Sequence, residues 1–199
     1  MTTPDLRPAT SVLAELVRGV RDDQLDAPTP CGGLTVAELL DHIDSLCMAF
    51  TAAGTKEFRA DGGRAPVPAA SRLGTDWRDR LPARLDELAQ AWRPSVAWAG
   101  TTQVGGGELP ARAAGASAVD EVVVHGWELA VATGQPFPGG DPSLVEALET
   151  AYDWVRSVVE QNPDGSPGLF GPPLPVPDHA PLLDRLLGLT GRHPGRRPS

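Results

Sequence analysis

Glu121 and His125 stand four residues apart in the run Glu-Val-Val-Val-His, and His42 lies far upstream in a second apolar-patterned segment. Residues four apart on a helix share a face. A carboxylate and an imidazole at that spacing can hold one divalent cation, and His42 from another helix can supply a third ligand. Two histidines and one carboxylate leave a coordination position open, which is how catalytic zinc sites differ from structural ones. The chain has only four histidines, so this use would commit half of them.

Spacing alone carries little weight. Composition predicts about 0.2 Glu-x-x-x-His pairs by chance, and the chain holds a second one, Glu38 to His42. Glu38 is therefore a further candidate ligand or orienting group. At about 100° per residue, Glu121, His125 and Glu128 fall within about 60° of one another. The main apolar stripe of that segment (Val119, Val122, Val123, Gly126, Ala130) lies opposite. A solvated polar face would give the same pattern. Val124 argues otherwise, because it places an apolar group on the flank of the polar face. A helix that is apolar on several sides is central to a bundle, and its polar groups then need partners. Among the acidic residues nearby, Glu128 is ranked first to orient a ligand or move a proton, ahead of Asp120 and Glu38.

The elements that would position these groups are all helical. Apolar periodicity predicts helices over Leu6 to about Leu25, from Thr35 to about Ala53, from Thr75–Asp76 to Trp92, over Ala111–Thr133, from Asp141 to about Gln161 and over Pro181–Leu189. Thr35 and Glu38 form a capping-box pattern. Gly134, with Pro136 beyond it, stops the fourth helix. The Gly/Pro-rich stretch from Gly54 to Leu73 reads as a long connection, and Arg93–Pro110 as irregular. No hairpin alternation stands out, so the class is all-α. The chain reads as one domain over 1–199, with a frayed Arg/Pro tail after about residue 191.

The net charge of −9, with Lys56 the lone lysine, argues against nucleic-acid and anionic-membrane partners. No apolar run reaches the roughly 18 residues that span a bilayer. Residues 1–8 lack the pattern of a signal peptide. The expectation is a soluble cytoplasmic protein acting on a small molecule, with a homodimer also compatible with a bundle face. Cys31, in a loop before the second helix, reads as a nucleophile, an extra ligand or simply a small loop residue. Cys47 lies on the apolar stripe and reads as core. His179 and His193 read as surface residues. The five tryptophans read as packing before they read as a pocket lining.

Three segments carry a resemblance. They are Pro28-Thr-Pro-Cys31 with Leu34-Thr-Val-Ala-Glu-Leu-Leu-Asp-His42, the stretch from Ala118 to Ala130 containing His125-Gly-Trp127, and Phe170-Gly-Pro-Pro-Leu-Pro-Val-Pro running on to Gly191-Arg192. Together they resemble the mycothiol-dependent maleylpyruvate isomerase metal-binding-domain family. That resemblance implies a DinB/YfiT-like four-helix bundle with additional short C-terminal helices. By motif it implies His42, Glu121 and His125 as metal ligands, with zinc, nickel or iron as the metal. It also implies a low-molecular-weight thiol such as mycothiol, and thiol S-transferase or isomerase chemistry on a small electrophile. A metal-dependent hydrolase and a non-catalytic metal- or ligand-binding bundle are the alternatives. The family usually has Trp where this chain has Leu34 and Asp where it has Glu128. The isomerase itself carries a further C-terminal domain, so the resemblance extends to the type of chemistry rather than to that one reaction.

Overall fold

The computed structural model describes residues 3–57, 64–166 and 168–195. Six helices carry the architecture: α1 (Arg7–Arg18), α2 (Val36–Thr55), α3 (Trp77–Ala91), α4 (Ala111–Thr133), α5 (Val145–Gln161) and α6 (Leu182–Leu189). The first four form a bundle in which α1 and α2 are diagonal, each packed against both α3 and α4. Helix α5 covers α4 from outside, and α6 packs on α5. This is the all-α, DinB-like class that the periodicity and the resemblance implied.

Helix α4 is central because its sequence gives it no solvent face. Val119, Val122, Val123, Val124, Trp127 and Leu129 are all buried. The same burial extends to Asp120, His125 and Glu128, so its polar residues are obliged to find partners inside the protein. Val124 was the signal for this. Helix α2 is fixed at its start by the expected capping box: Thr35 accepts from the Glu38 amide, and the Glu38 carboxylate accepts from the Thr35 amide at 2.9 Å. Farther along, Asp44 accepts from Arg80 (3.2 Å) and forms an ion pair with Arg84 (2.8 Å) of α3. These pairs lock the rotation of α2 and so the direction of His42.

The region from 93 to 110 is more ordered than expected. A 3-10 turn over Ser95–Trp98 leads into an antiparallel hairpin, β1 (Thr101–Val104) with β2 (Gly107–Pro110), in the register Thr101↔Pro110 to Val104↔Gly107. The turn is Gly105-Gly106, at φ +66 and +86, a geometry that glycine adopts without strain. Thr102 anchors the hairpin by donating to the Ala53 carbonyl at 2.6 Å. The strands are too short for period-2 alternation to show, and Gly-Gly was the readable signal.

Helix limits also differ from the periodic reading. Helix α1 ends at Arg18, and a separate 3-10 turn covers Asp22–Gln24. Helix α2 continues two residues past Ala53. Asp141 caps a 3-10 turn, Pro142–Leu144, that feeds α5. The expected connection over Gly54–Leu73 lies partly outside the described residues, and its described part includes a 3-10 turn at Ala70–Arg72. Trp77, Trp92, Trp98 and Trp127 are buried packing groups. Gly115 of α4 shows why: a Cβ there would sit 2.5 Å from Trp98 and 2.8 Å from Trp92. Only glycine lets that pair approach the helix. Among the described residues, no helix is long and apolar enough to cross a membrane.

Candidate metal centre

His42 projects from α2 and His125 from α4, and their rings meet edge to face with centroids 4.9 Å apart. Glu121, one turn before His125, places its Oε2 2.8 Å from His125 Nε2. One potential ligand atom from each of His42, Glu121 and His125 lies within 4.8 Å of the other two. The three residues singled out by spacing thus converge on one point between two helices. His42 Nδ1 is buried with no hydrogen-bond partner among the described residues, the kind of atom that a further group would satisfy.

Glu128 sits behind His125, where sequence reasoning ranked it first. It has no solvent exposure, and its Oε2 lies 2.6 Å from His125 Nδ1. Its other oxygen accepts from Arg192 Nε at 2.9 Å. Carboxylate partners of this kind fix the orientation and tautomer of a ligating imidazole. Burial opposes charge on His125, but hydrogen bonds with Cys31, Glu121 and Glu128 outweigh it and hold its pKa well above the usual imidazole value. Burial likewise opposes charge on Glu121 and Glu128. The hydrogen bond to His125 and the charge of Arg192 reverse that, and both carboxyls stay below their ordinary range. His42 is shifted the other way, lowered by burial and by the neighbouring His125. The two carboxylates on the His125 ring nitrogens thus favour its protonated form.

Glu38 takes no part, since it is spent on the cap of α2. Asp120 is buried beside the centre, its Oδ1 has no hydrogen-bond partner among the described residues, and burial together with the charge of Glu121 drives its pKa well upward. His179 and His193 are exposed, as expected.

Arg192 was not singled out by sequence, and it stands beyond the expected fraying point at about residue 191. It is held instead of frayed. Helix α6 ends in a Schellman turn: the Gly191 amide (φ +75) donates to Gly188 and the Arg192 amide to Leu187. That turn reverses the chain and sends the guanidinium back to Glu128. The Thr190-Gly191-Arg192 run at the end of a helical pattern was the available signal.

The centre opens into a cavity of about 420 Å³. Its wall carries the apolar side chains of Leu46, Phe50, Val104, Leu109, Trp154 and Phe170 and the polar ones of Cys31, Asp120 and Arg192. Trp154 and Phe170 stack edge to face at 5.6 Å, so this one tryptophan does line a pocket. Cys31 is half-buried, with its sulfur in reach of His125 and Glu128. Cys47 is buried in the core, and burial pushes its thiol up to about 12.

Residues 6–130 match the family model described as the mycothiol maleylpyruvate isomerase N-terminal domain. Two proteins from two strains of Mycobacterium tuberculosis, both described as uncharacterised, are each 29% identical to this chain over 196 residues, covering 92% of it and 93% of their own length. No solved structure matches the chain significantly.

Proposed function

The chain belongs to the mycothiol maleylpyruvate isomerase N-terminal domain family, and from that premise we propose that it is a divalent-metal enzyme using a low-molecular-weight thiol on a small electrophilic substrate. In this reading His42, Glu121 and His125 hold the metal, zinc before nickel or iron, and the thiol is mycothiol or a compound like it. The observation that carries the proposal is the convergence of two imidazoles and one carboxylate at the floor of an otherwise largely apolar cavity. The donor set fits the group: nitrogen and carboxylate ligands suit zinc, and three protein ligands leave a position open. The unpartnered, buried His42 Nδ1 agrees with a site built for an additional group.

A metal bound there would hold a thiol as its thiolate at neutral pH and polarise a carbonyl. The chain's own residues prepare that chemistry. Glu128 keeps a proton on His125 Nδ1, which leaves Nε2 turned toward Glu121 and His42. Arg192 neutralises Glu128 and holds it in place. The aromatic side of the cavity gives an apolar substrate a dry surface.

Elemental analysis of wild type beside His42→Ala and His125→Ala tests the metal. Near-stoichiometric zinc, nickel or iron in wild type, absent from both variants, is expected. Wild type that remains empty after incubation with these metals sinks the reading. Loaded enzyme is then assayed on maleate-type electrophiles with and without free thiol. Turnover that ignores the thiol would point to hydrolysis instead.

A further inference from the structure

Cys31 lines the cavity wall, and the proposed function leaves it without a task. The loop that carries it is rigid. The Thr29 amide and hydroxyl both donate to the Leu34 carbonyl (2.9 and 2.8 Å), the Cys31 amide donates back to the Thr29 hydroxyl (3.2 Å), and the Leu34 amide returns to the Cys31 carbonyl at 2.8 Å. Gly32 and Gly33, both at positive φ, turn the chain so that the thiol faces the bundle. The sulfur, a His125 ring nitrogen and a Glu128 oxygen lie within 4.8 Å of one another. Arg192 lines the same cavity as Cys31 and Asp120.

A second observation points to a ligand at this wall. Asp120 is 2% exposed, lines the same cavity, and its Oδ1 has no hydrogen-bond partner among the described residues. A buried polar atom of this kind is costly unless something supplies the missing contact. A small molecule in the cavity bearing an O–H or N–H would do so, with its apolar part against Phe50 and Trp154.

We propose that Cys31 is a site of reversible S-thiolation, at which a low-molecular-weight disulfide bearing a hydrogen-bond donor enters the cavity and leaves one half on the sulfur. The Cys31 sulfur attacks one sulfur of R–S–S–R. The Cys31–S bond forms as the R–S–S–R bond breaks. Cys31 is oxidised to the mixed disulfide and the departing half is reduced to R–SH, taking up the proton that Cys31 gives up. The half that stays fills the space in front of His42, Glu121 and His125. The consequence for metal access rests on the proposed metal centre, and the modification itself does not.

The test begins with metal-free protein, bis(2-hydroxyethyl) disulfide and dipropyl disulfide, which differ in hydroxyl against methyl. Mass spectrometry of the intact chain and its peptides should show one adduct, on Cys31 and not on Cys47, absent in Cys31→Ser and removed by dithiothreitol. Asp120→Leu should lower the rate ratio of the hydroxyl compound to the propyl compound about fivefold, the worth of one ordinary hydrogen bond. No adduct on the folded chain, or equal labelling of Cys47, overturns the proposal. An unchanged rate ratio removes Asp120 from it. In the second arm, zinc uptake by the adduct should be slower than by reduced protein on the order of tenfold, because ligands behind a filled cavity exchange only through local opening. Equal uptake overturns the blocking role. Reduced protein that takes up no zinc sinks the metal reading, and the adduct arm still decides the thiolation.

Discussion

Glu128→Gln is the sharpest perturbation of this site. The carboxylate has no solvent exposure, and it serves His125 on one oxygen and Arg192 on the other. Glutamine keeps the shape and one carbonyl acceptor. Whichever way its amide turns, an N–H then faces either the Arg192 Nε–H or the His125 Nδ1–H. It also removes the one buried charge shared by two cationic groups. Breaking a buried pair by deleting one partner costs about 3–5 kcal/mol. In a chain of this size that corresponds to a melting temperature lower by about 6–20 °C. Circular dichroism on metal-free protein at pH 7 gives the readout. Arg192→Met should cost a comparable amount, because it leaves Glu128 buried with only His125 beside it. The two losses should not add: in the double variant no charge is left unpaired, and its melting temperature should lie above the sum of the single losses. Zinc affinity in Glu128→Gln should fall about 10–100-fold, as for other partners that orient a ligating imidazole. A Glu128→Gln melting temperature within a degree of wild type, or strict additivity in the double variant, would refute the coupling.

Glu38→Ala should leave zinc affinity unchanged while slightly lowering the melting temperature, because the side chain completes the capping box of α2; a lost metal in elemental analysis would contradict this. Gly115→Ala should destabilise by about 1–3 kcal/mol in urea unfolding, since its Cβ would overlap Trp98 and Trp92; an unmoved midpoint would show that the tryptophans can retreat. The metal-free protein should lose stability as pH rises above about 6.5. His125 has a raised folded pKa, so its contribution is complete below the unfolded value and is lost through the folded one. Asp120 acts in the same direction, while His42, lowered, opposes it only below about 6.5. Zinc should flatten that alkaline loss, because the metal takes the place of the Nε2 proton. A melting temperature that climbs from pH 7 to 9 without metal would refute the assignment of charge.

The helices and the three converging residues were legible because their information is local and periodic. Val124 beside a polar face marked α4 as central, and the Thr35–Glu38 pair marked the start of α2. Glu38 also shows the limit of that information. It sits at the same spacing from His42 as Glu121 does from His125, and only the end of the helix separates a cap from a ligand. The hairpin escaped because four-residue strands hold too few alternations to count. Arg192 escaped for a different reason. Its partner is 64 residues away, and the Gly191-Arg192 pair at the helix end marks a turn without naming what the guanidinium reaches. What selects it is the Schellman turn at Gly191, a backbone event that aims a side chain rather than one that names it.

That late arginine alters what the centre can attract. The Glu121 and Glu128 carboxylates face Arg192 and a His125 ring whose protonated form they favour, and burial favours the neutral form of Asp120. The buried cluster is close to neutral, which is what makes it tolerable inside the bundle. In the proposed metal form, a divalent cation would replace one proton on His125, and the cluster would gain one positive charge. Had Glu128 stood alone, that cluster would be neutral. With Arg192 present it would carry an excess that favours an anionic ligand, a thiolate or a carboxylate, over a neutral one. Arg192→Met should therefore weaken anion binding to the zinc form as well as stability. Isothermal titration of the loaded variant with a small carboxylate should show that loss, and equal affinity with and without the guanidinium would place the anion's attraction elsewhere.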